Sequence, residues 1–322
     1  MKSLHPGGQL DQFRLESVVA VSGMATIFRA THSLTNQTVA IKVPHPEMEC
    51  DPVFFERFQR EAQIGREMSH PGVMKVLPDE SQGRVYLVME WVEGRLLREI
   101  LATEKRLPRE RAIRIALAIA DALQYIHSHG VAHRDLKPEN IMVDGEDRIK
   151  LIDFGIAARS GARRLTFGRL SQLMGTPEYI SPEQVDGKRG DVRSDIFALG
   201  VVLYEMLTGQ TPFQGETPLA VMNARLKNRP IPPRAIAPDI SLELESILYR
   251  SLERDPAHRY AKASEFAWDL EHPRQVGPAM RTRPSAANRR TEPLPRKLAF
   301  YAALAVAPLL IFTLLIYVAR NS

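Results

Sequence analysis

Residues 133–140, which read HRDLKPEN, carry the strongest chemical signal in the sequence. Phosphoryl transfer to a hydroxyl needs a carboxylate that orients the hydroxyl, oxygen ligands for magnesium and a cation that meets the transferring charge. Asp135 suits the first role, and Lys137, two residues later, can reach toward the transferred phosphate. Asn140 and Asp153 carry the hard oxygen atoms that Mg²⁺ prefers. These residue types and spacings predict a catalytic loop for phosphoryl transfer.

A second motif lies thirteen residues beyond Asn140, where residues 153–155 read DFG. Residues 39–42 read VAIK, which is similar to the third-strand motif of protein kinases. Because these motifs occur together and in this order, residues 11–271 resemble the eukaryotic-like Ser/Thr protein kinase family of bacteria.

The resemblance implies a particular fold, phosphate donor and acceptor. The fold is α+β, the two-lobed protein kinase fold, with a β-rich N-lobe at residues 11–92 and an α-rich C-lobe at residues 93–271. The donor is ATP, used with Mg²⁺ or, as an alternative ion, Mn²⁺. Residues 137–140 (KPEN) and 175–179 (GTPEY) resemble the Ser/Thr branch of the family, so the expected acceptors are hydroxyls of protein substrates.

The resemblance also implies roles for individual residues. Lys42 is expected to hold the α- and β-phosphates of ATP, with Glu61 as its ion-pair partner. The expected catalytic residues are Asp135, Lys137, Lys42 and Glu61, and the expected metal ligands are Asn140 and Asp153. The expected ATP contacts are Val19, Ala20, Val21, Ser22, Gly23, Met24 and Ala25 in the phosphate loop, Ile27, Ala40 and Met142 around the purine, Met89 as gatekeeper, Glu90 and Val92 in the hinge, and Lys42.

The expected phosphate-binding loop departs from the family pattern. Ala20, Ser22 and Ala25 stand where the pattern has its three glycines, and Gly23 lies between them. Glycine lets main-chain N–H groups approach phosphate closely. A Cβ atom at Ser22 is therefore expected to restrict the loop and weaken ATP binding, while leaving activity in place.

Further matches predict structural partners in the C-lobe. Glu183 is expected to pair with Arg259, and Asp195 resembles the buried aspartate that organises the catalytic loop.

Arg134 resembles the arginine that contacts a phosphate on the activation loop of this family. A phosphate adds about −1.5 to −2 units of charge and several acceptors for arginine. Activation by phosphorylation is therefore expected in this loop, with Thr166 and Ser171 as the leading candidates and Thr176 as a more structural hydroxyl.

Short strands and two long helices are expected to position these residues. Residues 13–19, 38–43 and 84–90 have the β-branched composition of strands, and a helix is expected over residues 53–68. Pro108 begins a long amphipathic helix whose apolar stripe consists of Ile113, Leu117, Ala120, Leu123 and Ile126. Residues 194–208 are almost entirely apolar and are closed by Gly209, which predicts a buried helix.

Composition and charge exclude several classes of protein. The 44% apolar and 25% charged residues are typical of a folded globular protein. A single cysteine, Cys50, excludes an intramolecular disulfide framework. The net charge of +5 comes from the tail, because residues 272–322 contain eight Lys or Arg and one Glu. The globular part is slightly acidic, which argues against nucleic acid as a partner.

The tail predicts a membrane anchor. Residues 272–297 are rich in Pro and Arg and are expected to form a solvated linker. Residues 298–319 contain no charge, and about 20 apolar residues are enough to cross a hydrocarbon core. The alternatives are a buried core helix or an apolar tail that docks on a partner protein.

Charge around the anchor predicts its orientation. Five Lys or Arg residues lie just before it and only Arg320 follows it, and the polar first eight residues are not a secretory signal. We therefore expect a single-pass protein of a bacterial inner membrane, with the kinase domain on the cytoplasmic face. The lipid bilayer is then a partner, and self-association would allow autophosphorylation between neighbours.

Three functions are compatible with the sequence. The first is an active Ser/Thr protein kinase. The second is a pseudokinase that acts as a membrane scaffold with weak ATP binding, which the altered phosphate loop favours. The third is a kinase of small molecules, against which residues 175–183 argue because they resemble a peptide-docking segment.

Overall fold

A β-rich N-lobe and an α-rich C-lobe make up the computed structural model, which describes residues 4–49, 51–78, 85–153, 158–159 and 177–276. These residues belong to one structural unit of the chain, residues 1–278. The N-lobe contains one antiparallel sheet in the order β1-β2-β3-β4-β5. Its strands are β1 Gln9–Leu10, β2 Phe13–Val21, β3 Ala25–His32, β4 Thr38–Pro44 and β5 Leu87–Glu90.

The alternation of β4 separates a core face from a face that carries the expected site. Val39, Ile41 and Val43 are almost fully buried, and Leu15 and Phe28 pack in the same cluster. Because successive side chains of a strand point to opposite faces, Ala40 and Lys42 lie on the other face.

Strand register gathers the expected ATP contacts on that second face. Ile27 lies opposite Lys42 in the β3–β4 pair, and Ala40 lies opposite Met89 in the β4–β5 pair. Directly opposed residues of an antiparallel pair share a face. Sheet register therefore brings Ala40 and Lys42 of the VAIK motif together with Ile27 and Met89, which were predicted from two other parts of the sequence.

Two helices connect β4 to β5: α1 Pro46–Glu49 and α2 Pro52–Glu67. The second agrees with the helix expected over residues 53–68. Phe58 and Ala62 pack with Val76, Leu87 and Met89, which fastens α2 against the sheet. This packing also places Glu61, one residue before Ala62, toward Lys42.

The C-lobe is built from helices around a large apolar core. Its helices are α3 Leu97–Glu104, α4 Arg109–Ser128, α5 Pro182–Val185, α6 Val192–Thr208, α7 Pro218–Lys227, α8 Pro233–Ile236, α9 Leu242–Ser251 and α10 Ala263–Glu271. Its described residues also form two small sheets, one of β6 Arg95–Leu96, β8 Ile141–Val143 and β9 Ile149–Leu151, the other of β7 Val131–Ala132 and β10 Ala158–Arg159. Short 3-10 turns lie at Pro138–Asn140, Pro177–Tyr179, Pro256–His258 and Pro273–Gln275.

The two long C-lobe helices lie where the sequence predicts them. Helix α6 is buried from Ser194 to Thr208 and ends at Gly209, which adopts φ 75°. Helix α4 begins one residue after Pro108. Ala120, Leu123 and Ile126 of the expected stripe are buried, which confirms its second half. In the first half, Ala112 and Ile115 are buried instead, and Ile113 and Leu117 are only partly buried.

No helix among the described residues is long and apolar enough to span a membrane. The predicted membrane segment, residues 298–319, and the linker beyond residue 276 lie outside the described residues. So do Cys50, Phe154, Gly155, Thr166, Ser171, Gly175 and Thr176.

Candidate active site

Lys42 is held between two carboxylates. Its Nζ donates to Glu61 Oε1 at 2.8 Å and Oε2 at 3.1 Å, and to Asp153 Oδ1 at 3.2 Å. Burial lowers the pKa of Lys42, but the charges of Glu61 and Asp153 outweigh burial and raise it above the usual lysine value. The ammonium therefore keeps its charge, and the ion pair predicted from the sequence is present.

Three segments that are distant in sequence meet at Lys42. The lysine comes from β4, Glu61 from α2, and Asp153 from the segment that follows β9. Asp153 has a φ of 69°, in the left-handed region that residues other than glycine seldom adopt. Such conformations persist where the surrounding structure holds them, and they concentrate at functional sites.

The catalytic-loop residues gather around Asp135. Lys137 Nζ donates to Asp135 Oδ2 at 2.7 Å. Asn140 Nδ2 donates to the main-chain oxygen of Asp135 at 2.7 Å and to its Oδ2 at 3.0 Å. The Ile152 N–H donates to the Asn140 carbonyl at 3.0 Å, which ties this loop to the residue before Asp153. The structure therefore brings together the four residues that the sequence groups in this loop and the DFG motif.

Asp195 fixes the start of the catalytic loop. It is fully buried on α6 and accepts main-chain hydrogen bonds from His133 at 2.8 Å and Arg134 at 2.7 Å. His127 Nε2, on α4, lies 2.8 Å from Asp195 Oδ2. Burial raises the pKa of Asp195, but the contact with His127 and the nearby charges outweigh it, so the pKa lies below the usual aspartate value. The carboxylate stays ionised and can hold both N–H groups.

Glu183 and Arg259 form the second predicted pair. Arg259 Nη1 and Nη2 donate to Glu183 Oε1 at 2.8 Å and Oε2 at 2.7 Å, and the Ser194 hydroxyl also donates to Oε1 at 2.6 Å. A two-point arginine–carboxylate contact is both strong and geometrically specific. It fastens the segment that follows residues 177–179 to the core of the C-lobe.

A network around Arg98 was not predicted from the sequence. Arg98, on α3, donates from Nε to Glu139 at 2.9 Å and from Nη1 to Glu205 at 2.8 Å. Its Nη2 also donates to the Tyr179 hydroxyl, which in turn donates to Glu205. Arg98 therefore links the catalytic loop, helix α6 and the turn at residues 177–179. No sequence motif marks Arg98, which stands beside Glu99 in the first turn of α3.

Arg225, on α7, is the second residue that sequence reasoning missed. It is 1% exposed and donates to the carbonyls of Pro177 at 2.7 Å, Glu178 at 2.6 Å and Ile180 at 2.5 Å. The guanidinium also lies over the ring of Phe197. Burial lowers the pKa of Arg225 to about 10. A buried cation thus holds the backbone of the turn that precedes Glu183.

The expected phosphate loop is the turn between β2 and β3. Val19, Ala20 and Val21 end β2, and Ala25 begins β3. The N–H of Ser22 donates to the Ala25 carbonyl at 2.9 Å, which closes the turn.

The other expected ATP contacts lie in both lobes. Met142 is on β8 of the C-lobe, whereas Ile27, Ala40 and Met89 are on the N-lobe sheet. Glu90 ends β5. Its side chain accepts from the N–H of Lys75 at 2.7 Å and from Lys150 Nζ, so it is already held by protein groups.

The donor set near Asp135 fits a hard cation. Asp153 supplies a carboxylate, and Asn140 supplies the oxygen of its side-chain amide. The Nδ2 atom of that amide donates to Asp135. Oxygen ligands of this kind suit Mg²⁺, which usually keeps several waters and needs few protein ligands. Lys42, beside Asp153, adds the positive charge that phosphate oxygens require.

A β-rich lobe, a helical lobe and a site of this composition define a protein of the kinase class. The family model described as "Protein kinase domain" matches residues 18–269. The chain therefore belongs to the protein kinase family.

Proteins similar to this chain include bacterial Ser/Thr kinases, as the sequence motifs predict. Serine/threonine-protein kinase PknB of Mycobacterium tuberculosis is 35% identical over 313 residues, covering 91% of this chain and 50% of that protein. A probable serine/threonine-protein kinase of Streptomyces coelicolor is 36% identical over 266 residues, covering 81% of this chain and 39% of that protein. The chain thus spans half or less of the length of these relatives.

A solved structure supports the two-lobed fold. The crystal structure of the Mycobacterium tuberculosis PknI kinase domain is similar with a TM-score of 0.66 at 27% sequence identity. The similarity covers 84% of this chain and all of that one.

Proposed function

We propose that this protein is a Ser/Thr protein kinase that transfers the γ-phosphate of ATP to hydroxyls of protein substrates. The observation that carries the proposal is the position of Lys42 between Glu61 and Asp153, together with Lys137 and Asn140 around Asp135. One charged group is thereby available for the donor phosphates and one carboxylate for the acceptor hydroxyl.

Each residue of the site has a defined task in this reaction. Lys42 binds the α- and β-phosphates, and Glu61 keeps its ammonium in place. Asp135 orients the acceptor hydroxyl and takes its proton as the new oxygen–phosphorus bond forms and the bond to ADP breaks. Lys137 stabilises the charge of the transferred phosphoryl group. Mg²⁺ held by Asn140 and Asp153 would neutralise charge on the phosphates.

The adenine ring would bind in the cleft formed by residues of both lobes. Ile27 and Ala40 offer apolar surface from the N-lobe sheet and Met142 from β8. Met89 is 4% exposed and lies opposite Ala40 in the β4–β5 pair. Flat aromatic ligands bind well in sites that are lined by apolar side chains and also offer a few polar groups. Main-chain groups of residues 90–92 would supply those polar contacts.

Incubation of the purified full chain with ATP and Mg²⁺, followed by phosphosite mapping, tests the activity. We expect phosphate on Ser and Thr residues of the chain or of an added protein, and much slower transfer with Asp135→Asn. Binding of ATP without any transfer would favour the pseudokinase alternative. Transfer to a small molecule but to no protein would favour the third function.

We also propose that residues 298–319 cross a membrane once and hold the kinase domain at its cytoplasmic face. The uncharged apolar run and the excess of Lys and Arg before it support this proposal. Confinement to a membrane would raise the local concentration of kinase domains and favour autophosphorylation between neighbours. Release of the full chain by alkaline carbonate without detergent would contradict a membrane span. Retention until detergent is added is the expected result.

A further inference from the structure

The side chain of Ser22 forms hydrogen bonds with main-chain groups of its own turn, between β2 and β3. Its Oγ accepts hydrogen bonds from the N–H groups of Met24 at 3.3 Å and Ala25 at 3.1 Å. The same hydroxyl donates to the Ala25 carbonyl at 3.0 Å. Two neighbouring main-chain N–H groups of the loop are therefore directed at one side-chain oxygen.

Main-chain N–H groups of such a loop are the groups that a phosphate would use. Neighbouring N–H groups that converge on one point form an anion-binding concavity. In this turn that point is taken by the Ser22 oxygen. We infer that the Ser22 hydroxyl competes with the phosphates of ATP for the N–H groups of Met24 and Ala25, and thereby lowers nucleotide affinity. This inference rests on the proposed ATP-binding function.

The other substitutions in the loop cannot act in this way. Ala20 and Ala25 have no hydrogen-bonding side chain, so neither can occupy a main-chain N–H group. A Cβ atom added at Gly23 would meet nothing within 4 Å, and Gly23 does not adopt a positive φ. The effect on affinity should therefore follow the hydroxyl of Ser22 and not the number of glycines in the loop.

Calorimetric titration of the full chain in detergent with ATP, ADP and adenosine, in the presence of Mg²⁺, tests this inference. Ser22→Ala removes the competing oxygen and keeps the Cβ atom. In this variant the N–H groups of Met24 and Ala25 no longer have to give up the hydroxyl in order to bind phosphate. The dissociation constants of ATP and ADP should therefore fall about 3- to 10-fold. Adenosine has no phosphate, so its affinity should not change.

Two further variants test whether the effect follows this hydroxyl. Ser22→Thr keeps a hydroxyl and should bind ATP like the wild-type chain. Ser128→Ala removes a different serine hydroxyl, which donates to the Tyr125 carbonyl at the end of α4, and should leave ATP affinity unchanged. In steady-state assays, Ser22→Ala should lower the KM for ATP without raising kcat.

Several results would overturn the inference. An unchanged affinity of Ser22→Ala for ATP would show that the hydroxyl does not compete, and a weaker affinity would show that it helps to bind phosphate. An equal gain for adenosine would assign the effect to the loop as a whole. If the wild-type chain binds neither ATP nor adenosine, the proposed function fails as well, whereas the first three results leave it intact.

Discussion

Arg259 and Glu183 form a two-point ion pair, with N–O distances of 2.8 and 2.7 Å, inside the C-lobe. The side chain of Arg259 is fully shielded from solvent and that of Glu183 is 9% exposed. Arg259 Nη1 also donates to the Arg193 carbonyl at 3.0 Å. The pair therefore joins the segment after residues 177–180 to the start of α6 and to the C-terminal part of the lobe.

Removal of one partner of this pair should strongly destabilise the C-lobe. A buried pair that loses one member leaves an uncompensated charge, which costs about 3–5 kcal/mol. We expect Arg259→Leu to lower the free energy of unfolding by this amount in chemical denaturation. The matched control is Arg109→Leu, because Arg109 pairs with Glu110 at the exposed start of α4. That change should cost less than about 1 kcal/mol.

Stability should also fall on acidification because of Glu183. Burial raises the pKa of this carboxyl, but Arg259 and Ser194 outweigh burial and place it below the ordinary value of 4.5. A lowered folded-state pKa contributes stability above pH 4.5, and this contribution is lost as pH falls through the folded-state pKa. Unfolding measured from pH 7 to pH 3 should show this loss. In Glu183→Gln the dependence should be weaker, and an identical pH profile would contradict the assignment.

The buried cation Arg225 should control the use of protein substrates. Its guanidinium donates to three main-chain carbonyls within residues 177–180. None of these belongs to an expected ATP-binding residue. We expect Arg225→Met to raise the KM for a protein substrate several-fold while the KM for ATP stays unchanged. The comparison with Arg225→Lys tests geometry, because lysine keeps the charge but lacks the planar fork of donors. A parallel change in both KM values would indicate a general loss of folding instead.

Phosphorylation of Thr166 or Ser171 should activate the protein. Arg134 supports this prediction, because its Nη1 is buried without a hydrogen-bond partner among the described residues. Burial and the charge of Arg189 lower the pKa of Arg134, so a nearby anion would relieve unfavourable electrostatics. We expect the double variant Thr166→Ala/Ser171→Ala to lose most of the activity gained on preincubation with ATP. Equal activation of the double variant and the wild type would exclude these two hydroxyls.

The parts of the site that could be predicted from the sequence are those defined by short motifs. Lys42, Asp135, Asn140 and Asp153 each lie in a motif, and in the structure Lys42 donates to Asp153 and Asn140 donates to Asp135. Their catalytic roles stay predictions. The fold followed from the same motifs, because strand and helix patterns around them agree with a two-lobed domain.

The contacts that could not be predicted join residues without a shared motif. Arg98 lies 41 residues from Glu139 and 107 from Glu205, and no local pattern marks either distance. Arg225 binds carbonyl groups, which carry no side-chain signature at all. On α4 the predicted stripe was wrong only in its first half, where small buried residues such as Ala112 give a weak periodic signal.

The rate of phosphate transfer by Asp135→Asn tests the central claim most directly. Asparagine keeps the size of the side chain but cannot take the proton of the acceptor hydroxyl, and general-base catalysis contributes about 10²- to 10⁴-fold. With labelled ATP and Mg²⁺ at saturation, we expect at least about a 100-fold lower rate, with ATP affinity and melting temperature close to wild type. Transfer at the wild-type rate would contradict the assignment of Asp135 and, with it, the proposed site.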